Sequence, residues 1–329
     1  MRRIAITGIG GFIGGRMAER ARERGLEVVG LEVSEAAAAR ARSRGFVTVV
    51  GDVGDPGAVR ACVSGADVVF HTAAIVEEDG ELARYRRVNV EGTRTVAGVS
   101  RDAGAKMFVH LSSVMVYGFT YPPHVGEEGE KRGEGNAYCQ TKIESEDVAR
   151  SFHGERMGVL VIRPGDVYGA ASVPWVLRPL ELLRQRVFYL PDGGRGVLNH
   201  VHVDNLLDAV FLGLDRRAVG EVFTVTDGED TSCERFFGYH ARMLGRRSAP
   251  TMPASVLRTL IGGLEKGSEA LGLPPPARRA AIEYLLRPHA YGIGKARRLL
   301  GYEPRIGLAA GMREVARELG LRDPTRADR

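Results

Sequence analysis

The sequence predicts an α/β protein with a doubly wound parallel sheet and a smaller C-terminal lobe. Three observations predict this fold class. Short apolar runs alternate with helical patterns through the first half, a glycine-rich stretch follows the first run, and the alternation ends near residue 165. A strand, a helix and a second strand in this order give parallel pairing, and the helices then cover both faces of the sheet.

Apolar runs and helical periodicity place the individual elements. The predicted strands lie at 3–7, 26–31, 46–50, 67–71, 106–111 and 158–163, and the predicted helices lie near 12–24, 35–43, 81–102 and 137–153. A further helix is predicted over 204–216. Asp204 is its expected N-cap, because a short polar side chain there accepts from a free backbone N–H.

The end of the alternation divides the chain into two predicted domains. Residues 1–165, together with about 204–220, form the sheet domain. Residues of about 166–203 and 221–320 form the lobe, which contains the run Pro274-Pro275-Pro276. The final residues, 321–329, are polar, and this predicts a frayed tail.

The composition, with 44% hydrophobic and 26% charged residues, is that of an ordinary globular protein. The formal net charge is +5, but basic residues are interleaved with Glu, as in residues 19–24. That pattern is typical of a solvated helix face, so no nucleic-acid partner is expected. No apolar run reaches about 18 residues, so no membrane-spanning segment is expected.

The three cysteines, Cys62, Cys139 and Cys233, are widely spaced and odd in number. Their spacing fits neither a disulfide framework nor a set of metal ligands. The start of the chain also lacks a basic segment followed by an apolar one. We therefore expect no metal site and a cytoplasmic location.

A glycine-rich stretch joins the first predicted strand to the first predicted helix. It reads Thr7-Gly8-Ile9-Gly10-Gly11-Phe12-Ile13-Gly14. Glycines 8, 11 and 14 are spaced three apart, and glycine is needed where the backbone approaches a pyrophosphate. The first helical residues, Phe12 and Ile13, then offer free N–H groups and the positive end of the helix dipole. The stretch therefore predicts a dinucleotide-binding domain of the Rossmann type.

The second predicted strand leads to Glu32, 24 residues beyond Gly8. An acid about 20 residues after the first glycine accepts hydrogen bonds from the adenosine ribose and repels a 2′-phosphate. NAD is therefore favoured over NADP, although Arg40 and Arg42 on the next helix keep NADP open.

Two further strand ends add cofactor candidates. Asp52 and Val53 follow the third strand and are placed to contact the adenine. The small residues Thr72, Ala73 and Ala74 follow the fourth strand. Their small side chains let the chain pass beneath a cofactor, or they serve only to pack against the core.

Tyr138 and Lys142 are four residues apart in a predicted helix, so their side chains share one face. A Tyr of ordinary pKa, about 10, is a poor base near neutral pH, but a neighbouring ammonium lowers that pKa. The pair therefore predicts a general acid and base.

Ser113 follows the fifth strand and is a candidate to hold a substrate oxygen. Asn89 is a polar residue on an otherwise apolar face of a predicted helix and is a further candidate site residue. The alternative is that it only forms hydrogen bonds with nearby groups in the core.

These residues together resemble the extended short-chain dehydrogenase/reductase family, which includes NAD-dependent epimerases and dehydratases, over about residues 3–318. The marks are Thr7-Gly8-x-x-Gly11-x-x-Gly14, Glu32, Asp52-Val53, His71-x-Ala73-Ala74, Asn89-Val90-x-Gly92-Thr93, Ser112-Ser113-x-x-Val116-Tyr117-Gly118, Tyr138-x-x-x-Lys142 and Arg163-Pro164 before Val167-Tyr168-Gly169. The resemblance implies that Tyr138 is the acid and base, Lys142 its activator and Ser113 the substrate-oxygen anchor. It also implies that Asn89 supports the lysine through a water molecule and that Pro164 contacts the cofactor.

Two features disfavour the sugar-nucleotide branches of this family. Val114-Met115 stands where the dehydratases carry Asp-Glu, and neither side chain can protonate a leaving hydroxyl. Leu198-Asn199 stands where the epimerases carry an Arg-Asp pair whose Arg holds a diphosphate. Arg195 or Arg287 remains open as a substitute for that Arg.

The C-terminal half most resembles the 3β-hydroxysteroid dehydrogenase branch. The marks are Thr226-Asp227-Gly228-Glu229, Phe236-Phe237, Pro274–Pro276, Tyr291 to Lys295-Ala296, and Leu300-Gly301-Tyr302-x-Pro304. One departure is Asp166, a charge near the expected substrate entrance, which argues against a wholly apolar pocket. Residues 253–271 are mildly amphipathic and predict a lid or surface helix rather than a membrane anchor.

The predicted function is that of an NAD-dependent oxidoreductase, similar to 3β-hydroxysteroid dehydrogenases. Hydride would move between the nicotinamide and a secondary alcohol or ketone of a bulky apolar substrate bound in the lobe. The alternatives are an NDP-sugar 4-epimerase or related sugar-nucleotide enzyme, and a non-catalytic NAD(H)-binding sensor. The family resemblance implies a homodimer in which helices 81–102 and 137–153 pack against their mates.

Overall fold

The computed structural model of the chain describes residues 1–76, 80–273 and 278–325. The strands are β1 Arg3–Thr7, β2 Glu27–Glu32, β3 Val47–Val50, β4 Val68–His71, β5 Met107–Leu111, β6 Gly158–Pro164, β7 Asp166–Tyr168, β8 Leu190–Pro191, β9 Val197–Leu198, β10 His200–His202, β11 Val222–Val225, β12 Thr231–Ser232 and β13 Thr251–Met252. The α-helices are α1 Phe12–Glu23, α2 Glu35–Ser43, α3 Pro56–Val63, α4 Leu82–Tyr85, α5 Gly92–Asp102, α6 Ala137–Ser151, α7 Arg178–Arg184, α8 Val203–Asp215, α9 Cys233–Met243, α10 Ala254–Ala270, α11 Arg279–Leu285 and α12 Leu308–Glu318. Shorter helical turns are the π-helical Arg86–Glu91, Val173–Leu177 and Ala296–Leu300 and the 3₁₀ turns Val114–Tyr117 and Asp192–Gly194.

Seven parallel strands form the central sheet, in the order β11-β6-β5-β4-β1-β2-β3. The chain runs from β1 outward to β3 and then returns to β4 on the other side of β1. Such a reversal opens a crevice at the carboxyl ends of β1 and β4, where open α/β sheets bind their ligands. The predicted fold class, a doubly wound α/β sheet with smaller C-terminal elements, is confirmed.

Alternation along the strands sends side chains into two separate cores. In β1, Ile4 and Ile6 pack with α1 and α8 on one face, whereas Ala5 packs with α3 and α5 on the other. All three residues are fully buried. The sheet is therefore a rigid layer that fixes the positions of its strand ends.

Two elements of the sheet domain differ from the sequence prediction. The α3 helix was missed, although Pro56 begins it and Asp55 caps it by accepting from the backbone N–H of Gly57 at 2.8 Å. The strand β11, predicted to lie in the lobe, pairs with β6 at the edge of the central sheet. All four of its residues are buried, so burial against the sheet outweighs its position in the chain.

The predicted N-cap role of Asp204 is wrong. The α8 helix begins one residue earlier, at Val203, and its cap is His202, whose Nδ1 accepts from the backbone N–H of Asp204 at 3.2 Å. The Asp204 carboxylate instead accepts from Arg16 Nε of α1 at 2.7 Å. This ion pair ties α8 to the helix that follows the glycine-rich loop.

The lobe lies beyond β6, which ends at Pro164, and has its own hydrophobic cluster. That cluster includes Leu180 of α7, Phe236 and Phe237 of α9, and Met312 of α12. Three short strand pairs, β10 with β7, β12 with β9 and β13 with β8, complete the lobe.

The predicted frayed tail begins with residues that contact the lobe. The backbone N–H of Leu321 donates to Ala316 O at 2.8 Å, and Arg242 Nε donates to Pro324 O at 2.7 Å. Residues 326–329 of the predicted tail and the Pro274–Pro276 run lie outside the described residues. Within the described ranges, no helix combines the length and apolar character needed to cross a membrane.

Candidate active site

The glycine-rich loop forms a tight turn between β1 and α1. Gly8 has a φ of +72°, in the left-handed region that favours glycine. A Cβ on Gly14 would lie 2.2 Å from Gly8 O, so Gly14 lets α1 pack directly on the loop. Gly11 caps α1 with extended backbone and no side-chain hydrogen bond, which leaves the first N–H groups of α1 free for an anion. Gly8, Gly11, Phe12 and Ile13 line a large cavity, whereas Gly14 lies behind them.

Glu32 closes one end of this loop. Its carboxylate accepts from the backbone N–H of Gly10 at 3.0 Å and from that of Ser34 at 3.1 Å. A Cβ on Gly10 would lie 2.7 Å from both Ala37 Cβ and Glu32 Oε2, so a larger residue there would have to displace one of them. Gly10 is not among the predicted cofactor residues, although the consecutive pair Gly10-Gly11 was a visible signal.

The other predicted cofactor residues lie at neighbouring strand ends along the same cavity. They are Asp52, Val53, Thr72, Ala73, Ala74 and Pro164. The cavity has a volume of about 2170 Å³. Single-ligand pockets measure about 300–1,000 Å³, so this space suits a dinucleotide and a second molecule together. The glycine cradle and the free helix terminus fit the pyrophosphate of NAD.

Tyr138 and Lys142 lie on the first turns of α6, facing the cavity. Lys142 Nζ donates to Leu111 O at the end of β5, at 2.9 Å, and lies 5.9 Å from the centre of the Tyr138 ring. Burial raises the pKa of Tyr138 to about 12, while a hydrogen bond with Ser113 acts in the opposite direction. The three predicted catalytic groups therefore meet at the carboxyl end of β5.

Ser113 has a second, structural contact. Its Oγ accepts from the backbone N–H of Met115 at 3.1 Å and caps the 3₁₀ turn Val114–Tyr117. The side chain is fixed by this bond and still lines the cavity. That geometry holds its hydroxyl beside Tyr138.

Asn89, in the π-helical turn before α5, positions two chain segments. Its Oδ1 accepts from the backbone N–H of Ile75 at 2.7 Å, and its Nδ2 donates to Ile75 O at 3.1 Å and to Thr141 Oγ1 at 3.1 Å. Asn89 is buried and does not line the described cavity. Its direct partners are the segment after β4 and the residue next to Lys142.

His71 lies buried under the site and was not among the predicted site residues. Its Nδ1 lies 2.7 Å from Thr7 Oγ1, and its Nε2 lies 2.9 Å from Thr93 Oγ1. Burial and the charge of Lys142 lower the pKa of His71 to about 3. The side chain is therefore neutral and hydrogen-bonded, and it links β1, β4 and α5 below the cofactor residues.

A buried ion pair that was not predicted from the sequence holds α6 against β6. Glu146, one turn after Lys142, accepts from Arg163 Nε at 2.9 Å and Arg163 Nη2 at 2.6 Å. It also accepts from Ser112 Oγ at 2.9 Å and lies 3.0 Å from Lys131 Nζ. Burial alone raises the pKa of Glu146, but its hydrogen bonds and the cations of Arg163 and Lys131 lower it to about 2.

Asp166 forms a second buried ion pair, at the entrance to the lobe. Its Oδ2 accepts from Arg287 Nη2 at 2.8 Å and from the backbone N–H of Asn199 at 3.0 Å, and its Oδ1 accepts from Tyr284 OH. Arg287 is 1% exposed and neutralises the carboxylate. Neither Arg287 nor the exposed Arg195 lines the described cavity. The charge of Asp166 therefore does not make this pocket polar, and Arg287 is not free to hold a diphosphate.

The lobe half of the cavity is mostly apolar. Its apolar lining includes Trp175, Leu182, Phe188, Met252, Leu257, Ile261, Ile282 and Leu285, and its charged lining includes Arg178, Arg186, Glu314 and Glu318. Among the described residues, no group of three or more His, Cys, Asp and Glu side chains is arranged to hold a metal ion.

The buried Lys142 predicts a pH dependence of stability. Burial, opposed by Glu146, lowers its pKa from 10.5 to about 8. Between these values the unfolded chain binds a proton that the folded chain does not, so this lysine makes the free energy of unfolding rise with pH. Lys142→Met lacks that proton, so its stability relative to wild type is expected to fall as pH rises from about 8 to 10.5.

Urea unfolding of wild type and K142M at several pH values checks this expectation. Lys106→Met is the control, because Lys106 is exposed at the opposite end of β5. If the difference in the free energy of unfolding between K142M and wild type stays constant from about pH 8 to 10.5, folding does not lower the pKa of Lys142.

Comparison with known proteins gives one family match and several full-length relatives. The NAD dependent epimerase/dehydratase family matches residues 4–226. The "4-hydroxy-2-methyl-3-oxo-4-farnesyl-3,4-dihydroquinoline-1-oxide ketoreductase" of Stigmatella aurantiaca is 28% identical over 324 residues, 97% of this chain and 96% of that protein. The "3 beta-hydroxysteroid dehydrogenase/Delta 5-->4-isomerase" of Mycobacterium tuberculosis (strain ATCC 25618 / H37Rv) is 28% identical over 321 residues, 92% of this chain and 86% of that protein.

Solved structures share the fold at lower identity. The UDP-glucose 4-epimerase of Thermotoga maritima, solved with UDP-glucose, aligns with a TM-score of 0.79 at 21% identity. The alignment covers 97% of this chain and 98% of that one. This likeness concerns the fold alone.

Proposed function

Since this chain belongs to the NAD dependent epimerase/dehydratase family, we propose that it is an NAD-dependent dehydrogenase or ketoreductase for a bulky apolar substrate. The observation that carries this proposal is the placement of Tyr138, Lys142 and Ser113 in a cavity whose lobe half is mostly apolar. At the entrance to the lobe, the charge of Asp166 is closed by its ion pair with the buried Arg287.

Tyr138 is the proposed general acid and base. In the oxidative direction its phenolate takes the proton of the substrate hydroxyl, and in the reductive direction its hydroxyl returns that proton to the carbonyl oxygen. When bound, NAD supplies the hydride acceptor, and NADH the hydride donor. Lys142, whose Nζ lies 5.9 Å from the centre of the Tyr138 ring, is proposed to stabilise the phenolate by its charge.

Ser113 is the proposed anchor for the reacting oxygen. Its hydroxyl, held by Met115, donates to the oxygen on which negative charge develops. Asn89 is proposed to keep the segment after β4 and the Lys142 turn of α6 in register. The mechanism thus separates proton transfer by Tyr138, charge stabilisation by Lys142 and substrate orientation by Ser113.

Glu32 supports NAD as the cofactor in preference to NADP. Its carboxylate is held between the N–H groups of Gly10 and Ser34 at the loop. A carboxylate in this position accepts from a free ribose hydroxyl and repels a phosphate there. Gly8, Gly11, Phe12 and Ile13 are proposed to bind the pyrophosphate, and Asp52 and Val53 the adenine.

Two relatives support a bulky apolar substrate. One is named for a farnesylated quinoline oxide and the other for a 3β-hydroxysteroid. Both names describe the oxidation or reduction of large, mostly hydrocarbon molecules. The apolar lining of the lobe suits such a molecule better than a sugar.

The competing proposal is a sugar-nucleotide epimerase, which the likeness in fold to a UDP-glucose 4-epimerase favours. An epimerase of this type needs a cation for the diphosphate. Arg287 is engaged by Asp166 and Arg195 lies outside the cavity, so neither of these two arginines holds it. An epimerase would have to use Arg178 or Arg186, which line the lobe half of the cavity. We further propose a cytoplasmic homodimer that pairs α6 and the helix over 82–102 with their mates.

Net hydride transfer tests the proposed function. With NAD⁺ and steroid, alkyl or isoprenoid secondary alcohols, we expect NADH to accumulate together with the matching ketone. With UDP-glucose we expect neither NADH nor a changed sugar. Conversion of a UDP-sugar to its epimer without net NADH would select the competing function.

A further inference from the structure

The helices α10 and α11 form a hairpin along one side of the cavity. Arg258 Nε of α10 donates to Glu283 Oε1 of α11 at 2.8 Å, and the backbone N–H of Arg279 donates to Glu265 Oε1 at 2.9 Å. These two links hold the helices side by side. The space between them opens into the cavity that contains Tyr138.

One stripe of α10 faces this space. Leu257, Leu260, Ile261 and Leu264 are spaced like residues on a single helix face, and all four line the cavity. Leu257 is buried, but Leu260 is 53% and Leu264 52% exposed. The stripe therefore runs from the closed interior of the lobe to an open end in solvent.

Gly263 leaves open space beside the stripe and is exposed. It lines the cavity next to Leu264, and a Cβ built on it would meet no atom within 4 Å. Ala280 and Ala281 of α11, both small, line the same space. The groove between the two braced helices is therefore lined by small and apolar residues.

We propose that the α10–α11 groove holds a linear hydrocarbon chain of the substrate and that Gly263 determines which chains fit. The inference rests on the proposed function, because the chain must belong to the molecule whose oxygen lies at Tyr138. A compact substrate that ends inside the lobe leaves Leu260 and Leu264 in water. A chain that continues along α10 covers both, and each buried CH₂ then adds to binding.

The test uses a homologous series of alcohols and a matched pair of variants. The probes are 3-hydroxyalkanoates of eight to sixteen carbons, each measured with NAD⁺ for turnover and for thermal stabilisation of the enzyme. Gly263→Phe fills the groove. Gly267→Phe is its control, since it lies one turn further along α10, also has open space around its Cβ and does not line the cavity. Both changes replace a helix-interior glycine with a better helix former, so neither is expected to prevent folding.

In wild type, kcat/KM is expected to rise about two- to fourfold per added CH₂ until the groove is full, in line with the free energy of burying a methylene. G267F is expected to keep this rise. G263F is expected to follow wild type for the shortest chains and to lose at least tenfold for the longest.

Other results would overturn either the groove proposal or the proposed function. Turnover without dependence on chain length, or an equal loss in both variants, would overturn the groove and leave the proposed function standing. Chain-length-dependent stabilisation that G263F removes, without any turnover, would support the groove and overturn the function. If kcat/KM does not depend on chain length, and the protein binds phosphatidylcholine vesicles in a way that requires Leu260, the groove proposal is wrong and the stripe contacts a lipid surface.

Discussion

Tyr138→Phe is expected to lower kcat about 10²–10⁴-fold, which is the usual contribution of a positioned acid or base. The substitution removes one hydroxyl and keeps the ring that lines the cavity, so NAD⁺ should still stabilise the protein. Steady-state turnover in both directions and thermal shifts with NAD⁺ measure the two effects separately.

The matched control is Tyr189→Phe. Tyr189 lines the same cavity in the lobe and is 38% exposed. It should keep turnover within about threefold of wild type, because Tyr189 has no role in the proton transfer proposed for Tyr138, Lys142 and Ser113. Unchanged kcat in Y138F would remove Tyr138 from the mechanism, and loss of NAD⁺ stabilisation would make it a binding residue instead.

Glu146→Ala is expected to reduce the free energy of unfolding by about 3–5 kcal/mol, because it leaves a buried guanidinium without its partner. Arg163 is 1% exposed, and both of its bonds to Glu146 are then lost. Turnover should fall as well, since Glu146 also holds Ser112 next to Ser113. Urea unfolding at neutral pH gives the first effect and kcat gives the second.

Two controls define the origin of that loss. Glu144→Ala, on the same helix, breaks the exposed pair with Arg86 and should lose less than about 1 kcal/mol. The double variant Glu146→Leu with Arg163→Met removes both buried charges and should regain much of the lost stability. If E146A is no less stable than E144A, the buried pair does not brace α6.

The sequence predicted those parts of the site that depend on local backbone rules. Gly8 and Gly14 were predicted because a tight turn and close packing exclude a Cβ. Tyr138 and Lys142 were predicted because a spacing of four residues places both on one helix face. Glu32 was predicted because it ends a strand at a fixed distance from the loop. Each of these residues interacts with groups that lie nearby in the chain or at the end of a neighbouring strand.

The parts that were missed depend on partners far apart in the chain. Arg163 meets Glu146 only because β6 packs beneath α6. Arg287 meets Asp166 across 121 residues, and no periodicity marks either residue as a partner. For the same reason β11 was assigned to the lobe, since only pairing with β6 shows that it extends the central sheet.

We propose that this chain carries out net oxidation or reduction of an apolar substrate. The most direct measurement is the amount of NADH formed per molecule of alcohol consumed by purified protein with excess NAD⁺, with UDP-glucose assayed in parallel. We predict one NADH for each ketone produced from an apolar secondary alcohol and no conversion of UDP-glucose. Epimerisation of the sugar with no net NADH, and no oxidation of any alcohol, would contradict the claim while leaving the fold and family unchanged.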